Sequence, residues 1–111
     1  VLRGGSGGDE NTALNYVNEI RERAYGDNSG NISSTELTLD FLLNERSREL
    51  YWEAHRRTDL VRFGKFTGGD YLWPWKGAVA EGTATDSKYR VCPIPSSDIN
   101  ANPNLTQNDG Y

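Results

Sequence analysis

Residues 39–65 carry the longest pattern of hydrophobic and polar positions that fits a helix. The stretch has no Pro, has no Gly before Gly64, and consists mostly of residues that favour helices. At about 100° per residue its aliphatic side chains fall in one stripe about 120° wide, as in a helix that packs on a core. The stripe contains Leu39, Leu42, Leu43, Leu50, Ala54, Leu60 and Val61. The pattern predicts a long helix over residues 36–63.

Charged residues share this apolar stripe. Arg46, Glu53 and Arg57 fall inside it, and Glu49 lies at its edge. Charges on a buried face are unfavourable unless they satisfy one another. Pairing is possible, because Arg46 precedes Glu49 by three residues and Glu53 precedes Arg57 by four, and both spacings bring side chains together on a helix. We therefore predict a structural charge network made of Arg46, Glu49, Glu53, Arg57 and Asp59.

A second helical pattern precedes the long one and covers residues 12–25. Asn11 or Thr12 can cap its start, and Gly26 can end it. A link of about ten residues joins the two helices, and such a link favours an antiparallel pair. The fold class predicted from these patterns is all-α, in one domain. The apolar face of the first helix is formed by Leu14, Val17 and Ile20, with Ala13 and Ala24 beside them.

The remainder, residues 66–111, has no clear period. Residues 66–90 are rich in aromatic side chains and Gly, and long stretches of this kind are usually functional or packed. The tail contains Pro93, Pro95 and Pro103, and Ser96 can begin a short helical turn. We expect a long irregular aromatic loop, followed by an extended Pro- and Asn-rich tail that wraps a neighbouring surface.

Composition excludes several classes of function. The net charge of −4 and the absence of a basic patch disfavour a nucleic-acid partner. One Cys and one His cannot form a zinc site or an intrachain disulfide, so we expect no metal and no cofactor. With 35% hydrophobic residues the chain has little material for a core of its own. Because it begins with Val and lacks Met, we interpret it as part of a longer protein.

Two sets of residues could in principle support catalysis. Glu45, Glu49 and Glu53 recur every four residues, and paired carboxylates hydrolyse glycosidic bonds. The neighbouring arginines favour a structural role for these carboxylates, yet a glycoside hydrolase that uses Glu49 and Glu53 stays an alternative. His55 and Asp59 resemble a base and its orienting carboxylate, but the sequence places no Ser or Cys nucleophile beside them.

The aromatic triad, Tyr71, Trp73 and Trp75, is the candidate binding site. Three rings at alternate positions of a Gly-rich loop can stack on flat ligand faces such as sugar rings. The simpler alternative is that the three rings form the loop's own small core or pack on another part of the protein.

Two spaced motifs carry a resemblance to a known family. The first comprises Asn44-Glu45-Arg46, Arg48-Glu49-Leu50, Glu53-Ala54-His55-Arg56-Arg57 and Asp59-Leu60-Val61-Arg62-Phe63-Gly64-Lys65. The second comprises Pro93-Ile94-Pro95, Asn102-Pro103-Asn104-Leu105 and Gln107-Asn108-Asp109-Gly110-Tyr111. Together they resemble the signature helix and the C-terminal ending of the SusD/RagB family. Ala54 departs from the Gly that is usual there, and Asp109 stands where Pro is common.

The resemblance implies a binding role and no enzymatic activity. SusD-like proteins are outer-membrane lipoproteins that capture glycans, or in some members peptides, at the cell surface. They deliver this nutrient to a SusC-like TonB-dependent transporter. The resemblance further implies that this chain is the C-terminal portion of a helical, TPR-like protein. Its partners would be the transporter, a glycan and the N-terminal remainder, which carries the lipid anchor. A module that contacts only the transporter, without affinity for glycan, is the other alternative.

Overall fold

The computed structural model describes residues 2–4 and 6–111, and the all-α class is confirmed within them. The chain divides into two compact units, Val1–Ala54 and His55–Tyr111. The first unit contains helices α1 (Glu10–Tyr25) and α2 (Leu39–Glu49), and the second contains α3 (Arg56–Arg62) and α4 (Ser96–Ala101). Short 3-10 turns cover Asn28–Gly30, Lys76–Ala78 and Ser87–Arg90. Over these same residues, no helix is both long and apolar enough to cross a membrane.

Helix α1 matches its prediction closely but begins two residues earlier than expected. Asp9, rather than Asn11 or Thr12, caps the helix, and its carboxylate accepts from the N–H and the hydroxyl of Thr12, both at 2.8 Å. Gly26 ends the helix with a left-handed φ of 81°, and its N–H donates to the carbonyl of Glu22. Both ends therefore follow the usual capping chemistry.

The link between α1 and α2 folds back along α1. The side-chain amide of Asn18 accepts from the N–H of Ile32 at 2.9 Å and donates to the carbonyl of Ile32 at 3.1 Å. Arg21 Nε donates to the carbonyl of Gly30. Ile32 and Leu37, within this link, are buried. The link is therefore a fixed return segment and not a simple turn.

This return segment changes the predicted arrangement of the helices. Ala13 and Val17 of α1 line one cavity with Leu39 and Leu42 from the start of α2. Further along both helices, Arg21 pairs with Glu45 and Arg23 pairs with Glu49. Because the residue numbers of the contacting side chains increase together along both helices, α1 and α2 run in the same direction. The prediction of an antiparallel pair is wrong, since the link first returns along α1.

The continuous helix predicted over residues 36–63 is also wrong, because residues 50–55 interrupt it. Thr38 caps α2 by accepting from the N–H of Phe41 at 3.1 Å, so α2 begins at Leu39. Trp52 and Ala54 then have left-handed backbones, with φ values of 68° and 59°. A right-handed helix cannot continue through such residues. Neither residue is Gly or Pro, so helix propensity gives no warning of the break.

The second unit contains α3 and a C-terminal tail, and the tail contacts residues of the same unit. Leu60 is buried, and its carbonyl accepts from the N–H groups of Lys65 and Phe66 at 2.8 and 3.1 Å, which closes the end of α3. The amide of Gln107 accepts from the Ile94 N–H at 2.8 Å and donates to the Ile94 carbonyl at 2.9 Å. The Tyr111 hydroxyl contacts the Val91 carbonyl at 3.0 Å. The tail thereby holds segment 91–94 in place.

Candidate functional site

The aromatic triad lies in the loop of residues 66–90, and two of its rings pack inside that loop. The ring centroids of Tyr71 and Trp73 are 6.2 Å apart, and Trp73 stacks on Phe66 at 6.3 Å with 27° between the planes. Arg56 donates to the Tyr71 hydroxyl at 2.8 Å. Tyr71 and Trp73 are both half-buried. These contacts support the alternative in which most of the triad forms the loop's own core.

Trp75 differs from the other two members of the triad. It is 70% exposed, and its backbone is left-handed with φ of 69°. Trp73 and Trp75 both line an open cavity of about 880 Å³, which we call the aromatic cavity. In the part of the chain that the structure describes, Tyr71 is outside this lining. Other side chains on its wall are Arg57, Phe66, Thr83, Tyr89 and Tyr111.

The aromatic cavity has the chemistry of a site for a ligand with flat apolar faces. Its volume lies within the range of about 300–1,000 Å³ that is usual for ligand sites. The exposed indole of Trp75 offers a face for stacking, and Asp86 and Thr83 add polar groups at the wall. Arg57 is held within the wall of the cavity, because it donates to the Tyr89 carbonyl at 3.1 Å and lies over the Phe66 ring at 4.8 Å.

Lys76 is a residue of this loop that sequence reasoning missed. It is only 2% exposed, and its ammonium donates to the carbonyls of Gly68 and Tyr71 at 2.8 and 2.7 Å. The same ammonium lies 4.7 Å from the centre of the Trp73 ring. A single lysine that binds backbone carbonyls produces no periodic pattern of hydrophobic and polar positions in the sequence. The only available signal was its place between Trp75 and a glycine in an aromatic loop.

Glycines fix the course of the same loop. Gly82 has φ of 80°, and a Cβ atom there would lie 2.4 Å from the carbonyl oxygen of Trp73. Gly77 has φ of 66°, and a Cβ atom there would lie 2.5 Å from a methyl group of Thr83. The loop therefore needs glycine at both positions for conformation and for space. An isolated bridge between Gly68 and Thr85 joins its two sides.

The predicted charge network is spread over both units. Arg46, Glu49 and Glu53 belong to the first unit, and Arg57 and Asp59 belong to the second. Glu49 pairs with Arg23 of α1, and the pairing of Arg46 with Glu49 stays a prediction. Glu53 is exposed in the turn after α2, so it does not share a helix with Arg57. Asp59 is 2% exposed, although the helical spacing placed it outside the apolar stripe.

The carboxylates considered for catalysis either pair with arginines or lie apart from the others. Glu45 binds Arg21 at 2.8 Å and also Arg48, while Glu49 binds Arg23. Because α2 ends at Glu49, Glu49 and Glu53 no longer lie on one helical face. Within residues 2–4 and 6–111, no three His, Cys, Asp or Glu side chains are grouped as metal ligands would be.

Comparison with known proteins finds a matching family and two similar proteins. The model of the SusD family matches residues 5–111. The chain is 49% identical over 105 residues to the starch-binding protein SusD of Bacteroides thetaiotaomicron, covering 95% of this chain and 18% of that protein. It is 30% identical over 107 residues to the SusD-like protein P25 of Formosa agariphila, covering 87% of this chain and 19% of that protein. The chain thus spans less than a fifth of the length of these relatives.

Proposed function

This chain belongs to the SusD family, and from that premise we propose that it is part of a non-catalytic protein that binds a glycan nutrient. The observation that carries the proposal is the 49% identity to a starch-binding protein over 95% of the chain. The arginine contacts of Glu45 and Glu49 agree with it, because they give these carboxylates a structural role.

The proposal extends to partners and location through the general role of the family. The whole protein would sit on the outer membrane and face outward, held by a lipid anchor in a part of the protein outside this chain. It would pass its glycan to a SusC-like TonB-dependent transporter. The two units described here would pack on the N-terminal remainder of the same protein.

Within this chain we place the glycan contact at the aromatic cavity. The exposed face of Trp75 would stack on a sugar ring, and Trp73 would form the adjoining wall. Tyr71 would act indirectly, because it packs beside Trp73 and is held by Arg56. The cavity supports this placement through its open shape and its aromatic lining.

The test uses the full-length protein with Trp73 and Trp75 both changed to Ala. Stacking of an aromatic ring contributes about 1 kcal/mol beyond its buried area, so the loss of two rings should weaken binding by roughly tenfold or more. Isothermal titration calorimetry with an α-glucan oligosaccharide measures this loss. A Tyr16→Ala variant is the control, because it also removes an exposed aromatic ring (Tyr16 is 63% exposed) but lies in the other unit.

Three results would change the proposal. Unchanged affinity in the double Trp variant would remove the aromatic cavity as the site. Capture of the transporter by a protein that binds no glycan would favour the pure interaction module. Glycan turnover that is lost in a Glu49→Gln or Glu53→Gln variant would favour a hydrolase.

A further inference from the structure

Lys76 occupies an unusual position for a lysine, inside the turn that presents Trp75. With 2% of its surface exposed, the side chain has almost no area left for contact with a ligand. Its ammonium instead joins two sides of the loop, since it binds the carbonyls of Gly68 and Tyr71 and faces the ring of Trp73. Hydrogen bonds from a charged donor are stronger than neutral ones, and a ring face attracts a cation.

The backbone of the same residue fastens the turn as well. The Lys76 N–H donates to the Trp73 carbonyl at 3.0 Å, and the Lys76 carbonyl accepts from the Thr83 N–H at 3.0 Å. Lys76 therefore contacts the segment before the turn and the segment after it through both its main chain and its side chain.

The turn that Lys76 fastens is strained. Trp75 and Ala78 both have left-handed backbones, with φ values of 69° and 63°. Residues with a Cβ atom adopt this conformation only where the surrounding structure holds them in it. The contacts of Lys76 supply that support at the position between the two strained residues.

We propose that Lys76 is a positioning residue for ligand binding: it fixes Trp73 and Trp75 in the arrangement that a glycan ring meets. The inference rests on the proposed function, because it assigns a role to Lys76 at the aromatic cavity. Without its ammonium, two carbonyls lose their buried donor, and Trp73 loses the cation over its ring. The two indoles would then sample several orientations, and ligand binding would have to order them again.

The main test replaces Lys76 with Met in the full-length protein, because Met keeps the length of the side chain and removes its charge and donors. We expect affinity for an α-glucan oligosaccharide to fall by about tenfold, as the loss of charged hydrogen bonds predicts. We also expect the near-UV circular dichroism of the tryptophans to weaken in the absence of ligand. The far-UV spectrum should stay nearly unchanged, since Lys76 lies outside helices α1 to α4.

Lys76→Arg is the second variant, because it keeps the cation and its donors. Its tryptophan spectrum and its affinity should lie between those of the wild type and of Lys76→Met. Lys88→Met is the control for the spectrum: Lys88 also binds a carbonyl, that of Gly110 at 3.1 Å, and lies over the Tyr111 ring. Its contacts are to Tyr89 and to the tail and not to a tryptophan, so the tryptophan signals should not change.

Unchanged tryptophan spectra in Lys76→Met would overturn the inference, whatever the protein binds. If Lys76→Met does not fold, Lys76→Arg decides: wild-type tryptophan spectra with binding abolished would mean that the ammonium contacts the ligand directly, and would also overturn it. A double Trp variant with unchanged affinity would refute the proposed site alone, while the ligand-free spectra would still test the positioning role.

Discussion

At the scale of single residues, Ala54 has a conformation that suits glycine better. Its φ is 59°, in the turn that separates α2 from α3. A left-handed backbone costs a residue with a Cβ atom roughly 1–2 kcal/mol, and glycine avoids most of that cost. We therefore expect Ala54→Gly to raise the free energy of unfolding of the full-length protein by about 0.5–1 kcal/mol, measured by urea titration.

The matched control is the same substitution inside a helix. Ala13 lies within α1, where glycine should lower the free energy of unfolding by about 1 kcal/mol. The two variants thus make one chemical change with opposite expected signs. A decrease for Ala54→Gly as large as that for Ala13→Gly would show that the left-handed turn does not strain Ala54.

The burial of single residues was partly predictable from sequence, and their partners were not. Helical spacing placed Leu43 and Leu60 on the core side of the predicted helix, and both are buried. Asp59 is nearly inaccessible as well, although the spacing placed it outside the apolar stripe. The spacing could suggest partners only within one helix. Arg21 and Arg23 come from α1 to bind Glu45 and Glu49, and contacts between elements leave no trace in the period of either helix.

At the scale of elements, both units use a side-chain amide to hold an extended segment. Gln107 pairs with both backbone groups of Ile94, as Asn18 does with Ile32. In Gln107→Glu a carboxylate oxygen would face the Ile94 carbonyl in place of the amide donor. We expect the free energy of unfolding of the full-length protein to fall by about 1–3 kcal/mol at neutral pH, measured by urea titration.

The control for this variant is Asn100→Asp in α4. It makes the corresponding change from amide to carboxylate at an exposed position, so it should leave the free energy of unfolding nearly unchanged. Equal stability of Gln107→Glu and the wild type would mean that the tail does not depend on this amide.

The start of α1 should respond to acid. The Thr12 N–H and hydroxyl donate to the Asp9 carboxylate and hold its pKa below its ordinary value. A lowered pKa means that the cap contributes fully above the ordinary value and is lost as the pH falls through the folded value, in a window below about pH 4. The protection factors of the Thr12 and Ala13 amides, which are corrected for the intrinsic exchange rate at each pH, should therefore fall as the pH drops through this window.

The Asp9→Asn variant keeps an N-cap side chain but removes the group that titrates. Asn is as good an N-cap as Asp but does not ionise in this range. Protection of the Thr12 amide in this variant should be independent of pH across the same window. If the wild type and Asp9→Asn lose protection together, another group causes the acid response.

The sequence predicted which elements exist better than it predicted how they connect. Capping residues and apolar spacing located α1 and most of α2, because these signals are local. The break at residues 50–55 and the return of the link along α1 were both missed. The break depends on left-handed residues that are not glycine, and the return depends on Asn18 binding a distant backbone.

At the scale of the whole molecule, few apolar side chains are buried within the described residues. Those below a tenth of full exposure are Ile32, Leu37, Leu43 and Leu60, whereas Tyr51 and Trp52 are 73% and 87% exposed. The relatives are more than five times longer than the matched segment. We infer that these exposed aromatic side chains pack on the remainder of the protein in the complete fold.

This inference predicts that the 111 residues are weakly stable when expressed alone. Burial of apolar surface is the main force that offsets conformational entropy, and a domain of this length usually buries a larger core. Thermal unfolding followed by circular dichroism should show a broad transition at low temperature. The same segment within the full-length protein should be protected from hydrogen exchange. A sharp cooperative transition well above room temperature for the isolated chain would show that its two units are self-sufficient, and that Tyr51 and Trp52 need no partner surface for stability.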